Sequence, residues 1–190
     1  IVISKLNPNA SNLIWATYLG GNDEEIPNSL FVQPNGEIYI LGASKSADFP
    51  TTASCFDNSY NGMVDIVVTH LNNTGTALVG STYVGGGNDD GSVLDWFTFL
   101  GWELNSHDLK RGEIIDDDTG AAWIANFTGS SGFPTTAGAW DQTFNGGLDG
   151  CIFRLSPDMS VLQWSTFLGG NADDVSYGLR LNSSGELFVT

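Results

Sequence analysis

Acidic residues recur in pairs at one fixed place along this chain. Glu24-Glu25, Asp89-Asp90 and Asp173-Asp174 each follow a Gly-Gly dipeptide, at Gly20-Gly21, Gly85-Gly86 and Gly169-Gly170. Carboxylate oxygens gathered in a loop are the hard donors that Ca²⁺ takes, about six to eight at a time. Two carboxylates at a fixed separation, one of them an acid, are also the apparatus of glycoside hydrolysis. The EF-hand order Asp-x-Asx-x-Asx-Gly is absent, however, and these pairs recur where a catalytic pair would occur once. The residues favour a turn in which one carboxylate caps backbone N–H groups or bridges to an adjacent unit. A Ca²⁺ site at Glu24, Glu25, Asp89, Asp90, Asp173 and Asp174 is the alternative; otherwise no cofactor is implied.

Other chemistry is sparse. His70 and His107 are the only histidines. His70 shares its place with Lys5 and Arg154, which points to a contact between units. His107 has no cysteine or second histidine placed to complete a metal site. Asp116-Asp117-Asp118 falls at a hairpin turn and reads as a solvated acidic run. There is no Gly-x-Ser-x-Gly elbow and no phosphate loop, and the Gly-Gly pairs end strands instead of opening helices. Cys55 and Cys151 are too few for a disulfide framework and read as a loop thiol and a core residue, against a bridge between neighbouring repeats.

The elements that must position these residues are repeated. Ile1-Val-Ile-Ser-Lys-Leu-Asn7 returns as Ile66-Val-Val-Thr-His-Leu-Asn72 and as Cys151-Ile-Phe-Arg-Leu-Ser156. Thr17-Tyr-Leu-Gly-Gly21 returns at Thr82 and Thr166, and Phe49-Pro-Thr-Thr-Ala53 at Phe133. The early blocks move by 65 residues between the first two copies and by 84 between the second and third, so repeat two carries a 19-residue insertion near 94–112. The repeats span 1–65, 66–149 and 150–190, the third being cut short. Self-similarity of this kind marks a repeat architecture, in which most periodic residues hold a scaffold together.

Each repeat reads as four short strands rich in β-branched and aromatic residues. In repeat one they cover Ile1–Leu6, Leu13–Leu19, Asn28–Gln33 and Glu37–Ala43. Gly36, Gly120 and Gly185 supply the positive φ that tight hairpins need. Four antiparallel strands per unit with recurring aromatic and glycine motifs are the cue for a β-propeller blade. The fold class expected is all-β: about three four-stranded antiparallel blades of a larger ring, because three blades cannot close one.

Lys5-Leu6-Asn7, Trp15-x-Thr17-Tyr-Leu-Gly-Gly21, Asn35-Gly36-x-x-Tyr39 and Phe49-Pro-Thr-Thr52 together resemble the bacterial seven-bladed β-propeller repeat, the SBBP repeat. The resemblance covers the chain outside the insertion and implies a seven-bladed ring. It also implies a large secreted or cell-surface protein, as in Bacteroidota that export by type IX secretion and in some cases glide. That family has no shared catalytic residues to carry over. The sequence departs from its pattern in the insertion, in His70 at a Lys/Arg place, and in Gly80, which stands where Trp15 and Trp164 stand.

A net charge of −16, from 6 Lys+Arg against 22 Asp+Glu, repels phosphate backbones and anionic membrane surfaces and argues against nucleic acid as a partner. No apolar run approaches the ~20 residues of a spanning helix. The insertion is the one non-repeated aromatic stretch. Its Trp96, Phe97, Phe99 and Trp102 are side chains of the type that anchor interfaces. They are the candidate partner-binding residues, against a loop folded over its own blade or a platform for stacking sugars. The function expected is a non-enzymatic extracellular scaffold or interaction segment at the bacterial outer surface, serving adhesion, gliding or secretion. Its partners would be the remaining blades or another chain of a surface complex. The alternatives are a carbohydrate-active propeller enzyme with its acids in other blades, and a calcium-dependent lectin or adhesin that binds glycan.

Overall fold

The computed structural model describes residues 1–92 and 111–190. It is all-β, with strands in antiparallel sheets. The first strands of the three repeats are β1 (Val2–Leu6), β5 (Asp65–Leu71) and β9 (Asp149–Leu155). The second are β2 (Leu13–Tyr18), β6 (Leu78–Val84) and β10 (Leu162–Leu168). The third are β3 (Glu25–Val32), β7 (Glu113–Asp116) and β11 (Leu179–Leu181), and the fourth β4 (Ile38–Ser44), β8 (Ala122–Thr128) and β12 (Leu187–Val189). Strand β3 starts three residues before the sequence places it. Its first residues pair with the end of β4 beyond a bulge between Pro27 and Ser29, which hides that pairing from the alternating pattern. Gly36, Gly120 and Gly185 take φ of 88°, 77° and 77° in the turns that join third to fourth strands.

The sheets are not the repeats. Strands pair in the orders β3-β4-β5-β6 and β7-β8-β9-β10, with β1-β2 and β11-β12 as two-stranded sheets among the described residues. Three four-stranded sheets, one per repeat, is therefore corrected to two such sheets and two half-sheets. Each full sheet joins the last two strands of one repeat to the first two of the next. Periodicity fixes the order of elements but leaves open where one unit ends. The junction is decided by the long β4–β5 connection, which returns β5 against β4 in unbroken register from Ile38↔Leu71 to Ser44↔Asp65.

Packing follows from alternation along the strands. On β4, Tyr39 and Leu41 enter a cluster with Ile114, Ile124, Phe153, Met159 and Phe167 of the following sheet. Ile38 and Ile40 enter another with Ile3 and Leu19 of the preceding one. Every residue of β4 and β5 is consequently buried, since both faces of their sheet are covered. The sheets stack face to face in series, with the third strands β3, β7 and β11 in contact with their counterparts. Among the described residues no helix is long and apolar enough to cross a membrane.

Candidate functional site: acid-capped glycine loops and the seams between sheets

Each Gly-Gly loop carries the chain from the end of one sheet to the start of the next, and the second acid of each pair closes it. Glu25 Oε1 accepts the Gly21 N–H at 3.1 Å. Asp90 Oδ2 accepts that of Gly86 at 2.7 Å, and Asp174 Oδ2 that of Gly170 at 2.7 Å. Hydroxyls from the fourth strand of the same sheet complete the shell. Ser44 and Ser46 donate to Glu25 Oε1 at 3.2 and 2.5 Å. The Thr128 hydroxyl donates to Asp90 Oδ1 and that of Ser130 to Oδ2 at 3.0 Å. Glycine is required where the loop is tightest. A Cβ on Gly85 would stand 2.5 Å from Asp65 Oδ1 and 2.9 Å from Asp90 Oδ2.

The acids of a pair diverge. Glu24 forms an ion pair with Lys45 at 2.6 Å on the surface, while Glu25 turns inward. Asp173 Oδ1 accepts the Leu148 N–H at 3.1 Å, and the Asp89 main chain accepts that of Gly129 at 2.8 Å. Glu25, Asp90 and Asp174 thus act on backbone and hydroxyl donors. Among the described residues no group of three His, Cys, Asp or Glu side chains is placed to hold a metal ion.

Two further acids belong to these loops: Asp65 and Asp149, each opening a first strand. Asp65 Oδ2 accepts the Asn61 N–H at 2.6 Å; Asp149 accepts those of Asn145 and Gly146 at 2.8 and 3.1 Å. Their signal in the sequence is plain, since they stand 84 residues apart at the head of matching strands. Loss of hydration, with the charges of Asp90 and Asp57, pushes the Asp65 carboxyl up to about 7. Burial raises Asp90 to about 6, although bonds from Thr128, Gly86 and Ser130 hold it down in part. A raised carboxyl is what general acid chemistry uses. Both of these are fully buried, however.

Three more features recur from one sheet to the next. The Phe-Pro-Thr-Thr segment is tied down identically twice: Thr52 N–H to Ser81 O at 3.0 Å and Ser81 Oγ to Pro50 O at 2.7 Å match Thr136 to Ser165 at 3.1 Å and Ser165 to Pro134 at 2.7 Å. In both four-stranded sheets an aromatic residue of the fourth strand lies beside a basic or imidazole residue of the next first strand. Tyr39 stacks on His70 at 4.1 Å, and the Arg154 guanidinium sits 5.6 Å over Trp123. Across the seam, Tyr39 OH donates to Gly120 O at 2.7 Å and a His70 ring nitrogen meets Pro157 O at 2.8 Å. Sizes alternate as well. Trp15 of β2 packs on Gly75 in the β5–β6 turn, whereas Gly80 of β6 receives Met159 from the β9–β10 turn. Gly80 departs from the repeat pattern because the next turn brings a large side chain into the place its tryptophan would fill.

Asp117 is corrected from a solvated turn residue to the centre of a polar cluster. It accepts from Arg154 Nε and Nη2 at 3.0 and 2.6 Å, from Trp123 Nε1 at 3.1 Å and from Thr119. Partial burial opposes its ionisation, but the bonds from Thr119 and Arg154 prevail and lower it to about 2. Asp116 accepts from Gln33 of the preceding sheet at 2.8 Å. Cys55 and Cys151 are free thiols, the first in a loop and the second in the core between the two four-stranded sheets. Trp96, Phe97, Phe99, Trp102 and His107 lie outside the described residues. No protein-family model and no curated protein matches the chain.

Proposed function

We propose that the chain is a non-enzymatic scaffold and interaction segment of a larger β-propeller of the SBBP type, in a bacterial protein exposed at the cell surface or secreted. The observation that carries this reading is the use made of the periodic polar residues. The acids, serines and threonines of each repeat bind loops within sheets or across the seam between them. Residues committed to the same contact in successive repeats build a platform, and specificity then falls to whatever is not repeated. That is the insertion with Trp96, Phe97, Phe99 and Trp102, which on this reading meets another blade or another chain of a surface complex.

In the bacterium that makes it, antibody raised against residues 1–190 is expected to label intact cells or to find the protein in the medium. Deleting the insertion should remove a co-purifying partner while leaving export unchanged. A cytoplasmic pool inaccessible to antibody on intact cells would contradict the location. Turnover of glycoside substrates by the purified chain would contradict the scaffold.

A further inference from the structure

Beside the Gly85-Gly86 loop one buried carboxylate oxygen has no partner. The geometry points to a divalent cation of the Ca²⁺ class there, held by Asp65 Oδ1, Gly86 O and Asn88 O, with Asp90 as the second charge. Asp65 is fully buried, and its Oδ1 accepts no hydrogen bond. The counterpart oxygen, Asp149 Oδ1, takes the Gly146 N–H at 3.1 Å. Burial dominates the Asp65 carboxyl, and the matching Gly62 N–H opposes it only weakly, leaving Oδ1 without a bond. A carboxylate oxygen in a dry interior is costly unless something positive meets it.

The oxygens converge where only glycine fits. A Cβ on Gly62 would stand 2.2 Å from Asn88 O, 2.7 Å from Gly86 O and 3.1 Å from Asp65 Oδ1. A Cβ on Gly85 would stand 2.5 Å from the same Asp65 oxygen and 2.9 Å from Asp90 Oδ2. Oxygens gathered this closely need only small shifts to reach the ~2.3–2.6 Å of Ca²⁺–oxygen bonds, and water would complete the shell of about six to eight. The donors are oxygen alone, two of them main-chain carbonyls, which suits a hard cation and not one that seeks thiolate or imidazole. Charge points the same way. Asp90 is fully buried, and its bonds come from neutral groups, the Gly86 N–H and the Thr128 and Ser130 hydroxyls. Asp65 Oδ2 likewise takes the neutral Asn61 N–H. The two carboxylates repel each other, and a cation between them removes that cost. Of the acids paired after the Gly-Gly dipeptides, only Asp90 belongs to this site. The ion would tie the long β4–β5 connection, through Gly62 and Asp65, to the loop that leaves β6 toward the insertion. The inference rests on loop geometry and does not depend on the extracellular reading.

The test is titration of CaCl₂, up to about 10 mM, into the 190-residue chain stripped with chelator, read by calorimetry, melting and amide NMR. A bound ion would hold Asp65 ionised, so every series starts from chain kept in chelator. Saturable binding is expected, with the melting midpoint raised by about 3 °C or more. The amide resonances of Gly62, Gly86 and Asn88 should move with the same saturation. Asp65→Asn should weaken binding by about tenfold or more, because it removes the charge and keeps the shape. Glu24→Gln, at the surface ion pair of the first loop, should bind like the parent. The resonance shifts are read on the parent chain, so they decide the matter even if Asp65→Asn does not fold. Three results overturn the proposal: no change in melting or spectrum across the titration, as it would be if a proton or a water serves Asp65 Oδ1; shifts confined to exposed acids such as Glu24 and Asp118; or an Asp65→Asn variant that binds Ca²⁺ like the parent.

Discussion

The alternation of large and small residues across the seams can be tested by moving it. Met159 is fully buried in the core between the two four-stranded sheets and reaches Gly80, where a Cβ would lie 2.8 Å from its Cγ and 2.4 Å from the Asp158 carbonyl oxygen. Met159→Gly removes a buried side chain, costing about 2–5 kcal/mol. About 1 kcal/mol of that returns, because glycine relieves the left-handed backbone at φ 58°. Gly80→Trp drives a ring into the occupied space and should cost more than about 3 kcal/mol. If the changes were independent, the double variant would lose more than about 4 kcal/mol, a large share of the stability of such a chain. The Trp15–Gly75 seam holds the reverse arrangement, so Gly80→Trp with Met159→Gly should rebuild it. The residual cost should be about 2 kcal/mol, for retreat of the β9–β10 turn and its Asp158 carbonyl. Urea or guanidinium unfolding of parent, single and double variants closes the cycle. A coupling near zero would refute the reasoning, because the seam would then tolerate any filling.

Three further outcomes follow from the same contacts. Asp117, held at about 2 against an ordinary 3.8, contributes roughly 2 kcal/mol that is complete above pH ~4 and lost as pH falls toward ~2. Asp117→Asn should abolish that acid limb in melts recorded against pH. Asp65 has the opposite sign. Its folded carboxyl at about 7 takes up a proton before the unfolded one at 3.8, so stability should rise as pH falls from above ~7 toward ~4. Asp65→Asn should flatten that rise, and an unaltered pH profile would exclude Asp65 as its source. In the insertion, replacing Trp96, Phe97, Phe99 and Trp102 by Ala one at a time should weaken partner binding by more than about 2 kcal/mol for at least one of them, with the melting midpoint unmoved. Unfolding without loss of a partner would make the segment local core.

How much of this was legible depended on which physics was local. Strand positions followed from composition and from turn glycines, and the structure places most strand ends within two residues of the sequence expectation. The capping role of the acids was legible too, because Gly-Gly followed by a carboxylate four or five residues on is a local pattern, and Glu25, Asp90 and Asp174 all meet it. The partition into sheets was not legible, since a repeat reads the same from any starting strand and only the register of β4 with β5 decides it. The cluster at Asp117 escapes a local reading for a related reason. Its partners Arg154 and Trp123 come from strands that the turn sequence does not reveal. Gly80 departs from the local pattern, and only the turn bearing Met159, which packs against it, accounts for the departure.

The central proposal is that the sheets, each full one shared by two successive repeats, are turned about one axis, with the scaffold made by the seams between them. A crystal structure of the 190-residue chain tests this most directly. The account predicts that the two four-stranded sheets and the flanking half-sheets radiate from a common axis, with β3, β7 and β11 nearest to it. Sheets stacked along a straight line, or β3, β7 and β11 at the periphery, would contradict it.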